Sequence, residues 1–338
     1  MKKLISLICV LAMVLALAAC GSSAPAAATE APAASTEAPA EDVSTDKTFV
    51  VGICQLVQHP ALDAATQGFK DALTEALGDK VTFQEQNASG DSATCSLICN
   101  QFVSDEVDLI MANATASIQA AASATNTIPI LGTSITDYGV ALGVDNWTGV
   151  SGTNISGTSD LAPLDGQAAM IQELFPDAKT IGLLYCSGEP NSIFQADSME
   201  ALLTDMGYSV ERYTFADSND VSSVTANDCS NSDVLYIPTD NTAASCTEAI
   251  NNVALSAGIP IVAGEEGIAS GCGVATLSIS YYDLGRATGE MAAEILTEGA
   301  DISTMEVRFA PAFTKEYNAD ICEALNITVP EDYVAIAK

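Results

Sequence analysis

The sequence predicts an α/β protein made of two doubly wound parallel-sheet lobes, and three observations carry that reading. Short runs of β-branched and apolar residues alternate with stretches of helical apolar spacing. The alternation comes in two series, separated by a Gly/Ser/Thr-rich stretch at 149–160. The chain has 338 residues, 48% hydrophobic and only 16% charged, which is long and apolar enough to bury two cores.

The first series opens at 47–55, where Phe49, Val50, Val51 and Ile53 form the continuous run of a strand buried on both faces. His59-Pro60 breaks that strand. Leu62, Ala65, Phe69, Leu73 and Leu77 then repeat at helical spacing through 61–77. Strands follow at 81–85, 107–111 and 128–131, with helices at 92–104 and 116–125 between them. The second series places helices at 163–174, 192–206, 243–257 and 282–297. Its strands are at 180–185, 209–214, 234–237, 259–263 and 275–280. Repeated βαβ units of this kind build parallel sheets with right-handed crossovers.

The N-terminus reads as an export signal. Met1-Lys2-Lys3, an apolar run from Leu4 and the ending Leu17-Ala18-Ala19-Cys20 are the parts of a secretory signal peptide over 1–19. The run, about 16 residues, falls short of a full membrane span. Leu-Ala-Ala-Cys followed by Gly21-Ser22 resembles a bacterial lipobox, which implies a diacylated Cys20 as the mature first residue. Residues 21–46 are Ala, Pro, Ser, Thr and acids, with Thr-Glu-Ala-Pro-Ala at 29–33 and again at 36–40. Val43 is the one large apolar side chain there, so nothing offsets the entropy of ordering. The segment is expected to be a tether spanning roughly 25–30 Å as a coil.

Charge excludes several function classes. The 44 acidic and 11 basic residues give a net charge of −33, which repels phosphate backbones and anionic lipid; no nucleic acid is expected as a partner. The single histidine, His59, rules out histidine-rich metal sites and any mechanism needing two imidazoles. Catalytic signatures are also missing: there is no Gly-x-Ser-x-Gly elbow and no Walker loop. A Cys54–His59 pair has no third orienting group. Apart from Cys9 and Cys20, eight cysteines remain. Cys54, Cys186 and Cys246 occupy apolar or helical positions, and Cys95 and Cys99 lie one helical turn apart, a poor geometry for a mutual disulfide. Reduced thiols, no metal, no cofactor and no catalytic residue are therefore expected.

In open parallel sheets ligands gather at the carboxyl ends of strands, and those ends are polar here. They carry Gln55 and His59; Asn113 and Thr115; Thr133, Ser134 and Asp137; Asn191 and Ser192; Asp240 and Asn241; and Glu265. Any one of these is explained by helix capping. Six such clusters along one edge point instead to a ligand site between the lobes. A transport binding protein, a sensor presenting its ligand to a membrane receptor and a cleft enzyme all fit that description.

Several strings carry a resemblance. Gln-Leu-Val-Gln-His-Pro-Ala-Leu-Asp at 55–63, Leu-Tyr-Cys-Ser-Gly-Glu-Pro-Asn-Ser at 184–192 and Tyr-Ile-Pro-Thr-Asp-Asn at 236–241 are three of them. Pro-Ile-Val-Ala-Gly-Glu at 260–265 and Ser-Tyr-Tyr-Asp-Leu-Gly at 280–285 are two more. The chain from about 48 to 335 resembles the ABC transporter substrate-binding lipoproteins that include tryptophan- and tyrosine-binding members. The resemblance implies a type I periplasmic-binding fold with three hinge crossings, near 157–162, 276–281 and 308–313. The N-terminal lobe would comprise 47–160 and 281–308, and the C-terminal lobe 161–280 and 309–338. It implies a lipid-anchored monomer on the outer face of the bacterial cytoplasmic membrane that delivers a small amino acid, aromatic in these relatives, to an ABC permease. For such a ligand, Thr115 and Ser134 would meet the carboxylate, and Asp240 and Asp137 the ammonium. Asn191 and Ser192 would grip from the second lobe, and the aromatic ring would lie near Gln55, His59 and Tyr138. The sequence departs from the family at Cys186 and Gly188, where Asn and Ser are common, and in lacking a proline after Asp137.

Overall fold

The β-branched runs become the central strands of two sheets. The structure, a computed structural model, describes residues 47–310 and 312–337. The expected signal peptide, lipid-bearing Cys20 and the tether lie outside the described residues. The first sheet contains β1 (Phe49–Gln55), β2 (Val81–Asn87), β3 (Leu109–Asn113), β4 (Ile130–Ile135), β5 (Ile155–Ser159) and β11 (Arg308–Phe309), in the order β11-β5-β4-β3-β1-β2. All its pairings are parallel. The second contains β6 (Thr180–Cys186), β7 (Ser209–Phe215), β8 (Val234–Ile237), β9 (Ile261–Ala263), β10 (Ala275–Ser278), β12 (Thr314–Tyr317) and β13 (Val334–Ala335), in the order β13-β12-β10-β9-β8-β6-β7. Only the β10–β12 pairing is antiparallel. Both sheets therefore share one doubly wound strand order, in which the winding reverses beside the first strand. The chain passes from one sheet to the other at 160–163, 279–280 and 310–313.

Helices cover both sheets: α1 (Pro60–Leu77), α2 (Ser92–Ser104), α3 (Thr115–Ala124) and α4 (Tyr138–Leu142), then α5 (Leu164–Leu174), α6 (Pro190–Asp205) and α7 (Val221–Cys229). They continue with α8 (Asn241–Ser245), α9 (Thr247–Ala257), α10 (Glu266–Cys272), α11 (Tyr281–Glu298) and α12 (Ala319–Leu325). Among the described residues no helix is long and apolar enough to cross a membrane. Leu62, Ala65, Phe69 and Leu73 of α1 are buried, as their spacing requires. Fully burying a side chain such as Phe69 stabilises by about 1.5–3 kcal/mol.

Sequence patterning misses β5, because Ile-Ser-Gly-Thr-Ser carries no apolar run. Its five residues are nevertheless buried, with the polar side chains satisfied internally. The Ser156 hydroxyl donates to the Met305 carbonyl at 3.0 Å, Thr158 and Thr288 share a hydrogen bond at 2.8 Å, and Ser159 donates to the Thr136 carbonyl at 3.0 Å. The helix expected at 243–257 is two: Cys246, with φ −122 and ψ 17, breaks it into α8 and α9. The short helices α4, α7 and α10 also went unread, since none is long enough to develop a periodic pattern.

One contact fixes the placement of α1, whose N-terminus carries His59. Helices α1 and α11 cross with their backbones in contact. A Cβ on Gly68 would lie 2.0 Å from the Tyr282 carbonyl oxygen, and one on Gly285 would lie 1.9 Å from that of Ala65. Only glycine fits at either position. Gly285→Ala should therefore force the helices apart and lower the unfolding free energy by about 1–3 kcal/mol. Urea denaturation with an unchanged midpoint would show that the crossing tolerates a methyl group.

Candidate functional site

The two sheets meet around a small, narrow cavity lined by residues that follow strands of both. From the first sheet come His59 after β1, Ser134 in β4 and Asp160 after β5; from the second come Asn191 after β6, Asp240 and Asn241 after β8, and Glu265 after β9. Carboxyl strand ends are where doubly wound sheets bind ligands. Six of the ten ligand-binding residues expected from the sequence line this cavity: His59, Ser134, Asn191, Asp240, Asn241 and Glu265.

Gln55, Thr115, Asp137 and Ser192 do not line it, and each has a local task or place instead. Gln55 is saturated: its amide nitrogen donates to the Val57 carbonyl at 2.9 Å and to Asp63 Oδ1 at 2.6 Å, and its oxygen accepts from the Thr66 hydroxyl at 2.6 Å. It locks β1 to the start of α1. Thr115 is buried in the first turn of α3. Asp137 caps α4 by accepting from the Val140 amide at 2.8 Å. Ser192 is buried and accepts from the Asn191 amide at 3.2 Å. Tyr138 is also elsewhere. Its ring stacks on Trp147 within the first lobe, and its hydroxyl donates to the Gly132 and Thr158 carbonyls, each at 3.1 Å. An aromatic ligand ring beside Tyr138 and Gln55 is therefore excluded by burial and saturation.

Three carboxyl groups face the cavity, and no Lys or Arg lines it. Asp240 was expected to hold a positive charge, but both its oxygens have partners. Oδ1 accepts from the Ala243 amide at 2.7 Å and Oδ2 from the Cys186 amide at 2.7 Å. Glu265 likewise caps α10, taking the Gly267 amide at 2.6 Å and the Ile268 amide at 2.5 Å. Asp160, which sequence reasoning passed over, is different. Its Oδ2 accepts from the Tyr281 hydroxyl at 2.9 Å, while Oδ1 is buried without any partner. Asp160 follows β5, the strand whose polar sequence hid it.

Of the six buried side-chain atoms without a partner among the described residues, three line this cavity: His59 Nδ1, Ser134 Oγ and Asp160 Oδ1. Leaving such a group unpaired costs about 1–3 kcal/mol, so three in one lining make this cavity the candidate site for a polar ligand. Ser134 is held there by an irregularity in β4. The register shifts between Gly132 and Ile135, and Ser134 takes φ 56, a left-handed conformation uncommon for serine. Strain of this kind persists where the surroundings enforce it and collects at functional sites.

His59 is tied to the other lobe. Glu189 accepts from the Asn241 amide group at 2.7 Å and from the Asn241 backbone N–H at 3.0 Å. The Asn241 side-chain nitrogen is thereby turned toward Glu189 and its oxygen toward His59 Nε2, at 3.3 Å. Burial lowers the His59 pKa, against smaller raising effects from Asn241, Glu189 and Asp63. Burial raises the carboxyls: Asp160 to about 6 and Glu265 to about 7. Asp240 also rises through burial, and then through the charge of Glu189. All eight described cysteines outside the tether are free, and no group of three or more His, Cys, Asp or Glu among the described residues is arranged to hold a metal ion.

A carboxyl whose pKa is raised on folding binds its proton more tightly in the folded than in the unfolded chain. It therefore removes stability as pH rises from its unfolded pKa near 4 to its folded value, for Asp160 about 6. Asp160→Asn keeps an acceptor for the Tyr281 hydroxyl without the charge. It should stabilise the ligand-free protein by about 1–3 kcal/mol at pH 8, and the gain should fade toward pH 4. Denaturation at the two pH values checks the sign; a gain that is equal at both would refute the buried charge.

The comparisons with known proteins agree with this geometry. The family model for ABC transporter substrate binding proteins matches residues 50–338. A tyrosine-binding protein of Clostridioides difficile (strain R20291) is 38% identical over 280 residues, covering 82% of this chain and 81% of the relative. The solved ABC domain in complex with L-Trp from Streptococcus pneumonia is 32% identical with a TM-score of 0.80, covering 84% of this chain and 97% of that one. The ligand-free, open structure of a Clostridium difficile substrate binding protein with adhesive properties is 37% identical with a TM-score of 0.66, covering 86% and 99%. The two-sheet architecture is that of type I periplasmic-binding proteins, and the chain belongs to the ABC transporter substrate binding proteins, a family of solute-binding proteins and not of enzymes.

Proposed function

We propose that this protein captures an aromatic L-amino acid between its two lobes and delivers it to the permease of an ABC importer. The observation that carries the reading is the cavity itself, whose lining holds three unpaired buried polar atoms and three carboxyl groups but no Lys or Arg. A buried carboxylate without a protein cation calls for a positive group from outside. Asp160 Oδ1 is the free acceptor for an α-ammonium, and the Ser134 hydroxyl can donate to the α-carboxylate. The aromatic class is supported by the relatives, one named for tyrosine and one solved with L-Trp. The chain is more similar overall to the L-Trp complex than to the open, ligand-free relative, although the latter is closer in sequence. That ordering supports a closed arrangement of the lobes as the ligand-holding state. The three passages between sheets would then act as the hinge, and a ligand touching both lobes would favour the closed form.

Calorimetry with tyrosine, tryptophan and phenylalanine, each with its N-acetyl derivative, tests the reading. The free amino acids should bind and the N-acetyl forms, lacking the ammonium, should not. Asp160→Asn should weaken binding by about 30- to 1000-fold, or about 2–4 kcal/mol, whereas Asp240→Asn should change it by less than about tenfold. Equal binding of the N-acetyl derivatives would remove the ammonium from the site. Binding to Asp160→Asn as tight as to the wild type would remove Asp160 from that role.

The acyl chains on Cys20 would hold the monomer at the outer face of the cytoplasmic membrane, since two chains anchor stably where one is marginal. Cys20→Ala should appear in the medium or remain unprocessed. Its recovery in membranes as a processed, acylated protein would show that Cys20 is not the anchor.

A further inference from the structure

We infer that His59 reads the side chain of the ligand, presenting a bare Nδ1 lone pair that selects aromatic rings bearing a hydrogen-bond donor over phenylalanine. The inference rests on the aromatic amino acid reading above and adds the atom that discriminates within that class. Its first step is a tautomer. Glu189 offers only acceptors, and it takes both N–H groups of Asn241, backbone and side chain, on one oxygen. The Asn241 amide cannot be flipped without placing its oxygen against that carboxylate. Asn241 Oδ1 therefore faces His59, and an acceptor there requires the proton on His59 Nε2. A neutral imidazole carries one proton, so Nδ1 is left as an acceptor. That atom is buried, lacks a partner and belongs to a residue lining the cavity.

The second step concerns which donor of the ligand reaches it. A carboxylate cannot, because both atoms would be acceptors. The order of strands sets His59 apart from Asp160 and Ser134. Asp160 follows β5 and Ser134 lies on the adjacent β4, while His59 follows β1, with β3 between β4 and β1. Two to three strand spacings amount to roughly 10–14 Å across the sheet. An aromatic amino acid with a hydrogen bond at each end spans a comparable distance. The lining also offers apolar side chains near His59 in the chain: Leu62 stands three residues beyond it in the first turn of α1, and Ala244 three residues beyond Asn241 in α8. With its ammonium at Asp160, a ligand ring would lie between these apolar groups and direct a phenolic O–H or indole N–H to Nδ1. Phenylalanine would leave that nitrogen unpaired.

The test combines affinity with a direct reading of the ring. Wild-type protein should bind tyrosine and tryptophan about 10- to 100-fold more tightly than phenylalanine. His59→Phe should abolish the difference by weakening tyrosine and tryptophan alone, and His59→Asn, whose amide oxygen can stand near Nδ1, should restore part of it. Because the chain holds one histidine, nitrogen-15 spectra of histidine-labelled protein report this ring without ambiguity. They should show an unprotonated Nδ1 whose resonance moves on adding tyrosine or tryptophan and stays in place with phenylalanine. Equal weakening of all three ligands in His59→Phe would assign His59 to the common amino acid groups and overturn the inference. A protonated Nδ1 in the free protein would overturn it as well. Failure of all three to bind the wild type would sink the aromatic reading itself, which the discrimination presupposes.

Discussion

Three carboxyl groups, Asp160, Asp240 and Glu265, are buried around one cavity that no Lys or Arg lines, and the organisation of the site follows from how each is satisfied. Two are stabilised by the fold. Asp240 and Glu265 sit at the N-termini of α8 and α10, where backbone N–H groups and the helix ends favour negative charge. In doing so they hold two short helices that could not stand alone. Asp160 has no such helix. Its chain direction is set at the first passage between the sheets, and the Tyr281 hydroxyl, from the start of α11, donates to one of its oxygens. The protein thus satisfies two acids internally and leaves one oxygen of the third without a partner.

The same economy appears in how the lobes touch. His59 to Asn241 at 3.3 Å and Gln195 to Thr136 at 3.4 Å are hydrogen bonds between lobes, both at the long end of the range. Contacts within each lobe are far closer. The crossing of α1 and α11 is backbone on backbone, and the strands of each sheet pair along their length. Lobes joined by weak polar contacts would be biased by a guest that adds a few good hydrogen bonds to both. Population shift requires that difference between the states, and it requires the interlobe contacts to be modest.

Much of the fold was legible because buried parallel strands write themselves as β-branched runs. Strands β1, β3, β6 and β8 stand out in the sequence for that reason, and their polar ends located the cavity. What escaped was structure stabilised by polar burial. Strand β5 reads as a Gly/Ser/Thr linker, since its serines and threonines are satisfied by distant partners such as Thr288 and Met305. Asp160 was lost with it. Asp240 was read as the ammonium ligand because a carboxylate that caps and one that binds look alike in sequence. Only the placement of the Cys186 amide, 54 residues away, decides between them. Tyr138 was drawn toward the ligand by its neighbourhood, whereas Gly132 and Gly157 leave room for its hydroxyl inside the sheet.

Specificity in a cavity of this kind depends on acceptors and donors whose direction cannot relax. Ser134 is turned inward by a strand irregularity, so its hydroxyl is aimed by backbone rather than by rotamer choice. Asn241 is oriented by Glu189, and through Asn241 the opposite lobe determines which nitrogen of His59 carries the proton. That dependence ties recognition to closure. The His59 tautomer is imposed only when Asn241 stands against it, so an open cleft would offer an imidazole free to present either nitrogen. Closing the lobes would remove the choice, and a ligand lacking the matching donor would then leave a buried nitrogen unpaired in the closed state alone. Discrimination would thus be expressed in the stability of the closed form, the form that a permease would receive, and less in the first encounter with the open cleft.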